Sequence, residues 1–187
     1  MALWIVLGLV AALAVYVIII YNRLVSTRQM TEEAWSGIDV QLKRRADLIP
    51  NLVDTVKGYA AHERGVLEEV TELRNQARAV PPNDVEGRAK VEGALSMALG
   101  RLLAVAEAYP DLKANENFLE LQRELARLES EIQMARRYYN GAVRNLNTMV
   151  ESFPSNFVAN QFRFEKRQYF EIEDAADRAL PKVTFQT

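Results

Sequence analysis

The sequence contains no cysteine, and its single histidine is His62. The missing thiols exclude disulfide bonds, thiolate catalysis and cysteine-bound zinc or iron–sulfur centres. One histidine cannot supply the paired Glu-x-x-His motifs of a di-iron bundle or the second histidine of a zinc-protease helix. Phosphate-binding loops, dinucleotide fingerprints and nucleophile elbows are also absent. We therefore expect no enzymatic activity, no metal, no cofactor and no small-molecule substrate.

Glycine and proline are scarce, with 8 and 6 residues in a chain of 187. Because a sheet needs many turns, this shortage favours helices. The charges nearly cancel, to a net −2, and leave no basic surface for nucleic acid. The composition predicts an all-α protein that does not bind nucleic acid.

A long hydrophobic run opens the chain. Residues 2–21 carry no charge, with Trp4 and Tyr21 near the two ends. Twenty helical residues reach about 30 Å, the thickness of the hydrocarbon core of a bilayer, and aromatic residues favour its two interfaces. We predict a transmembrane anchor at residues 1–21 and a helical-bundle domain at residues 22–187. A cleaved signal peptide is the less favoured alternative, because no basic segment precedes the run.

The flanks of this run predict its orientation. Arg23 and Arg28 follow it closely, whereas no lysine or arginine precedes it. Under the positive-inside rule, the protein crosses the inner membrane once, with the helical domain in the cytoplasm and a very short segment outside.

A first apolar stripe follows the anchor, with steps of three or four residues from Trp35 to Leu73. This spacing predicts one long helix. Pro50 lies inside it and lacks the N–H that would bond to Ala46, so we expect a kink or local break and treat Pro50 as a candidate hinge.

A second stripe follows the Pro81-Pro82 pair. Asn83 is the predicted cap of this second helix, with Glu86 completing a capping box, and Pro110 is predicted to stop it.

The third stripe is the most regular and runs from Phe118 to Phe153, with Asn115 as its predicted cap and Pro154 at its end. The three stripes predict an antiparallel bundle of three long helices. The third helix could instead form a coiled coil between chains.

The tail is predicted to hold short helices near residues 156–162 and 171–179. Its aromatic residues either cap one end of the bundle or form a docking surface for a partner or a membrane. They are Phe157, Phe162, Phe164, Tyr169, Phe170 and Phe185.

Charged residues gather before Pro50, namely Asp39, Lys43, Arg44 and Arg45. They form either a solvated face with i,i+4 pairs such as Asp39–Lys43 or a recognition patch for a partner.

The second predicted helix is too short to cover both longer ones. Trp35, Ile38 and Leu42, next to the anchor, could therefore lack a neighbour within the chain. The aromatic tail could cover them within one chain. If it does not reach, a second copy must, because monomers rarely leave a long apolar strip in water, and we expect a homo-oligomer assembled along these residues.

Three blocks of sequence resemble the LemA family of bacterial membrane proteins, and the match covers nearly the whole chain. The blocks are residues 21–25 with 34–45, 47–53, 56–60 and 62–63; residues 106–115; and residues 135–140 with Asn147 and 153–156. One departure is residues 161–164, Gln-Phe-Arg-Phe, where family members often have a glycine between the aromatics.

The resemblance implies a membrane anchor, a helical bundle and no established catalytic activity. It also implies an accessory protein, of a class often encoded near membrane proteases or other envelope proteins, with no agreed biochemical role. Two functions remain open. One is a membrane-anchored scaffold or adaptor that self-assembles and organises envelope partners or the bilayer. The other is a sensor or regulator that transmits a signal from the anchor through the bundle.

Overall fold

The computed structural model describes residues 1–60 and 62–171. All regular structure in these residues is helical, which confirms the predicted all-α class with a long apolar N-terminal helix. The helices are α1 (Ala2–Lys57), α2 (Arg64–Ala79), α3 (Val85–Glu107), α4 (Pro110–Lys113), α5 (Glu116–Glu151) and α6 (Ser155–Gln161).

Helix α1 contains the apolar run and continues well beyond it. Its most apolar stretch has a mean hydropathy of 2.9 and no buried residue, so the helix is long and apolar enough to cross a membrane. The same helix then runs past Arg23 and Arg28 without interruption to Lys57. The anchor and the first helix of the bundle are therefore one element.

The predicted single helix from Trp35 to Leu73 is wrong, because it is divided between Lys57 and Arg64. Pro50 lies inside α1, which continues for seven more residues. The apolar spacing did not reveal the break because Ala60, in the turn, is fully buried in the same core as Val56 and Leu67.

The N-terminus of α3 is capped one residue later than predicted. The side chain of Asp84, not Asn83, accepts a hydrogen bond from the Gly87 N–H at 2.8 Å. A Cβ atom at Gly87 would overlap this carboxylate, so glycine suits this cap.

The connection from α3 to α5 contains one further helical turn. Helix α3 already ends at Glu107, and Pro110 begins α4 instead of stopping α3, because proline suits the first position of a helix. Asn115 caps α5 as predicted, with its side-chain oxygen 3.0 Å from the Phe118 nitrogen.

The chain divides into two compact units. We call residues 1–42 with 128–169 the anchor unit, and residues 43–127 with the described residues 170 and 171 the middle unit. Helices α1 and α5 contribute residues to both.

Helices α1 to α5 all contribute to a hydrophobic core in the middle unit. Two tyrosines join its turns: the Tyr59 hydroxyl accepts from the Asn115 amide at 2.9 Å, and the Tyr109 hydroxyl donates to Glu63 at 3.3 Å. Partial desolvation, together with the nearby Glu63 carboxylate, raises the pKa of Tyr109.

The anchor unit packs α6 and the following extended segment against α1 and α5. Its small core contains Ile20, Leu24, Val158, Ala159 and Phe164. Helix α6 confirms the first predicted tail helix to within one residue at each end. The second predicted tail helix, apart from residue 171, lies outside the described residues.

The extended segment is held to α5 by a side-chain amide. Asn147, only 9% exposed, donates to the Arg167 carbonyl and accepts from the Arg167 N–H, both at 2.9 Å. The Tyr139 hydroxyl donates to the Gln168 carbonyl at 2.9 Å, and burial raises the pKa of Tyr139. These bonds pair backbone N–H and carbonyl groups of Arg167 and Gln168, which lie outside any helix or strand and so have no partner of that kind.

Candidate functional site

The predicted self-association strip is mostly covered within the chain. Ile38 and Leu42 are 0% and 1% exposed. Trp35 is half-buried, with its ring centre 5.3 Å from that of Tyr139 on α5. The strip therefore has neighbours within the chain, and the lack of cover from which we expected a second copy there is not found. Self-association itself stays a prediction.

Only some residues of the predicted charged patch lie at the surface. Asp39 is half-buried, and Lys43 and Arg44 are exposed, but Arg45 is 1% exposed. Placing Arg45 on a recognition surface was wrong, because its side chain points into the core of the middle unit.

Two buried guanidinium groups converge on one buried carboxylate in the middle unit. Arg45 Nη2 lies 2.6 Å from Glu92 Oε2, and Arg88 Nε lies 3.1 Å from Glu92 Oε1. Arg45 also donates to the Ser96 hydroxyl at 2.7 Å, and Arg88 donates to the Ala77 carbonyl at 3.0 Å. Charges removed from water in this way need partners with good geometry. The cluster therefore ties α1 and α2 to α3.

The carbonyl that Pro50 leaves without a donor in α1 is hydrogen-bonded by another helix. The proline ring removes the N–H that would bond to the Ala46 carbonyl, and that carbonyl accepts instead from Arg74 Nε of α2 at 2.7 Å. A side chain on the neighbouring helix therefore supplies the missing donor. The predicted hinge at Pro50 remains a prediction.

An open groove of about 590 Å³ lies beside Pro50, between α1 and α5 of the middle unit. Its lining mixes small polar, apolar and charged side chains: Leu48, Asn51, Thr55, Asn117, Glu120, Leu121, Arg123, Glu124 and Arg127. A hydrogen bond from Arg127 lowers the pKa of Glu124. Within the described residues, no cluster of three or more potential ligands could hold a metal ion.

The aromatic residues of the tail differ in exposure. Phe164 and Phe170 are buried, whereas Phe157, Phe162 and Tyr169 are exposed. Whether they cap the bundle or bind a partner stays a prediction. Phe185 lies outside the described residues. Phe153, predicted to belong to the buried stripe of the third helix, is 79% exposed. That assignment was wrong, because α5 ends at Glu151 and the stripe ends with it.

Three residues of these sites were not singled out from the sequence. Arg88 and Glu92 lie four residues apart on the apolar stripe of α3 and could have been recognised as a buried pair. Arg45 gave the same signal, since it follows Leu42 by three residues and precedes Ile49 by four. Arg74 gave no such signal, because its contact with Ala46 depends on the turn between α1 and α2.

Comparison with known proteins identifies relatives along most of the chain. Residues 34–185 match the LemA family. The magnetosome protein MamQ 2 of Paramagnetospirillum magneticum is 26% identical, over 94% of this chain and 73% of the relative. MamQ of Magnetospirillum gryphiswaldense is 23% identical, over 86% of this chain and 68% of the relative. Protein LemA of Metamycoplasma hominis is 29% identical, over 75% of this chain and 64% of the relative.

Proposed function

The chain belongs to the LemA family, and from this premise we propose that it is a non-enzymatic, membrane-anchored scaffold that organises partners in the cell envelope. The observation that carries the proposal is the continuity of α1, which runs from the apolar anchor to Lys57 without a linker. Within the anchor unit, α1 also packs on α5, with Thr27 Oγ1 3.4 Å from Met149 Sδ and Trp35 against Tyr139. A partner bound to this unit would be held close to the bilayer.

We assign two exposed surfaces to partners. Lys43 and Arg44 are the exposed members of the predicted patch and suit an acidic segment of a neighbouring membrane protein, such as a membrane protease. On α5, Met134 and Tyr138 are 52% and 56% exposed and lie four residues apart. We propose this pair of exposed apolar side chains as the self-association site, in place of the buried Ile38 and Leu42.

The proposed location is the inner membrane, with both units in the cytoplasm, and it rests on Arg23 and Arg28 after the span. The lack of cysteine makes a direct test simple. A single cysteine at the exposed Asn75 would be treated with a membrane-impermeant maleimide in intact cells and again after permeabilisation. The proposal expects labelling only after permeabilisation. Labelling in intact cells would reverse the orientation.

One observation favours the sensor as a second candidate, namely the Arg74 bond that replaces the one lost at Pro50. A signal that changed α1 at Pro50 would break or form this bond. A sensor of this kind requires the proline, whereas a scaffold does not. Pro50→Ala should therefore leave partner binding unchanged in a scaffold and abolish the response in a sensor.

Site-specific photocrosslinking in native membranes tests the scaffold proposal. A photoreactive residue would replace Lys43, Arg44 or Tyr138, with Lys90, another exposed lysine of the middle unit, as the matched control. The proposal expects a discrete membrane-protein adduct from Lys43 and Arg44, a dimer of this chain from Tyr138, and neither from Lys90. Equal and diffuse crosslinking at all four positions would contradict it.

A further inference from the structure

The anchor unit has a cluster of exposed phenylalanines near residue 157. Three phenylalanines there face outward: Phe153, Phe157 and Phe162 are 79%, 67% and 51% exposed. Phe153 and Phe157 contact each other edge to face, with ring centres 6.0 Å apart. Such a cluster of large apolar side chains is unfavourable in water and marks a contact surface.

The position of this cluster along α1 is fixed by packing within the anchor unit. Val158 and Ala159 of α6 share a core with Ile20 and Leu24 of α1. The Phe162 ring lies 4.8 Å from the ring of Tyr21. Residues 20 and 21 end the uncharged run, and Arg23 is the first charge after it. The cluster therefore lies at the level where α1 leaves the hydrocarbon core.

From this juxtaposition we propose that Phe153, Phe157 and Phe162 insert into the membrane interface beside the span, as a second membrane contact. Helix α6 then lies against the bilayer with Val158 and Ala159 toward α1 and Phe157 toward lipid. Aromatic side chains favour this zone of a membrane. The inference rests on α1 crossing the membrane and does not depend on the scaffold role.

Two cations of the anchor unit near this cluster are paired with carboxylates. Lys166 is paired with Glu151 at 2.7 Å, and Arg167 with Glu32 at 3.3 Å. The hydrogen bond from Lys166 to Glu151 also raises the pKa of Lys166. The proposed contact is made by the phenylalanines themselves, so a neutral phosphatidylcholine bilayer is the lipid with which to test it.

Spin labelling of the full chain tests the proposal, because the natural sequence has no competing cysteine. Single cysteines would replace Phe153 and Phe157, each labelled and reconstituted at one chain per phosphatidylcholine nanodisc. Tyr138 provides the matched aromatic control, with 56% exposure and about 20 Å of α5 between it and the cluster. Val10, 59% exposed within the apolar run, provides the lipid reference.

Relaxation by oxygen, relative to relaxation by a water-soluble nickel complex, reports contact with lipid. The proposal expects this ratio at residues 153 and 157 to exceed that at residue 138 several-fold and to approach that at residue 10. Equal ratios at 153, 157 and 138, with a lipid-like value at 10, would overturn the inference and leave the anchor intact. A water-like value at residue 10 would instead refute the membrane span, on which the inference rests. With one chain per disc, a second copy cannot shield the labels.

Discussion

The two units of the molecule are stabilised by different chemistry. The middle unit encloses charged groups, with Arg45, Arg88 and Glu92 inside a hydrophobic core. The anchor unit relies on aromatic contacts and on neutral hydrogen bonds from Asn147 and Tyr139 to an extended backbone segment. Loss of one partner of a buried ion pair leaves a charge in the core, whereas loss of a neutral side chain leaves only backbone groups unsatisfied. The middle unit should therefore be more sensitive to single substitutions.

The largest expected effect comes from Glu92→Ala. It leaves Arg45 and Arg88 buried without the carboxylate they share, so we expect a loss of about 3 kcal/mol in the free energy of unfolding of the middle unit. Urea unfolding of the full chain in detergent, followed by circular dichroism, measures it. The control is Glu69→Ala, which removes the exposed pair with Arg101 and should cost less than about 0.5 kcal/mol. Equal losses in both variants would remove the distinction between the units.

A smaller loss is expected for Asn147→Ala in the anchor unit. Both hydrogen bonds to the Arg167 backbone disappear, at a cost of about 2 kcal/mol. Faster proteolysis of residues 163–171 would report the release of the extended segment. Asn145→Ala, at an exposed position of the same helix, is the matched control and should leave the proteolysis rate unchanged. A stable segment in Asn147→Ala would show that the aromatic contacts alone hold it.

The next effect is a coupling between Pro50 and Arg74. Arg74→Ala should cost about 1 kcal/mol in the natural chain, because the Ala46 carbonyl loses its donor. After Pro50→Ala, the new N–H at residue 50 can donate to Ala46, and the cost of Arg74→Ala should fall close to zero. A double-mutant cycle in urea measures this coupling. Arg78→Ala, which removes the exposed contact with Asp47, should show no coupling with Pro50.

The smallest effect is a stabilisation at Arg163. Its backbone has a φ of 56°, which is unfavourable for a side-chain-bearing residue and normal for glycine. This is the position between aromatics where LemA sequences often have glycine, so the turn forms here despite the departure. Arg163→Gly should stabilise the anchor unit by about 0.5 kcal/mol, since relief of strain is partly offset by entropy of the unfolded chain. Arg163→Ala should give no gain in the same urea unfolding experiment.

The sequence predicted most of the fold because apolar periodicity and capping are local signals. The long apolar N-terminal helix, the Asn115 cap, the short helix after Pro154 and the long third helix were predicted from such signals. The break between α1 and α2 did not, because buried Ala60 continues the apolar spacing through the turn.

The sites were less accessible to prediction than the fold. We predicted a surface position for Arg45 because it is charged, although its position on the first apolar stripe favoured burial. The outward position of Phe153 and the Arg74 bond to Ala46 depend on tertiary packing, which no local pattern contains.

The central claim is that the anchor and the first helix of the bundle are one element, and hydrogen exchange tests it most directly. The full chain in phosphatidylcholine nanodiscs would be exchanged and digested so that peptides cover residues 15–42. The account predicts continuous protection across Tyr21, Arg23 and Arg28, because α1 is helical there and packs on α5 and α6. Rapid exchange at residues 22–28, between a protected span and a protected bundle, would show a flexible linker and contradict the account.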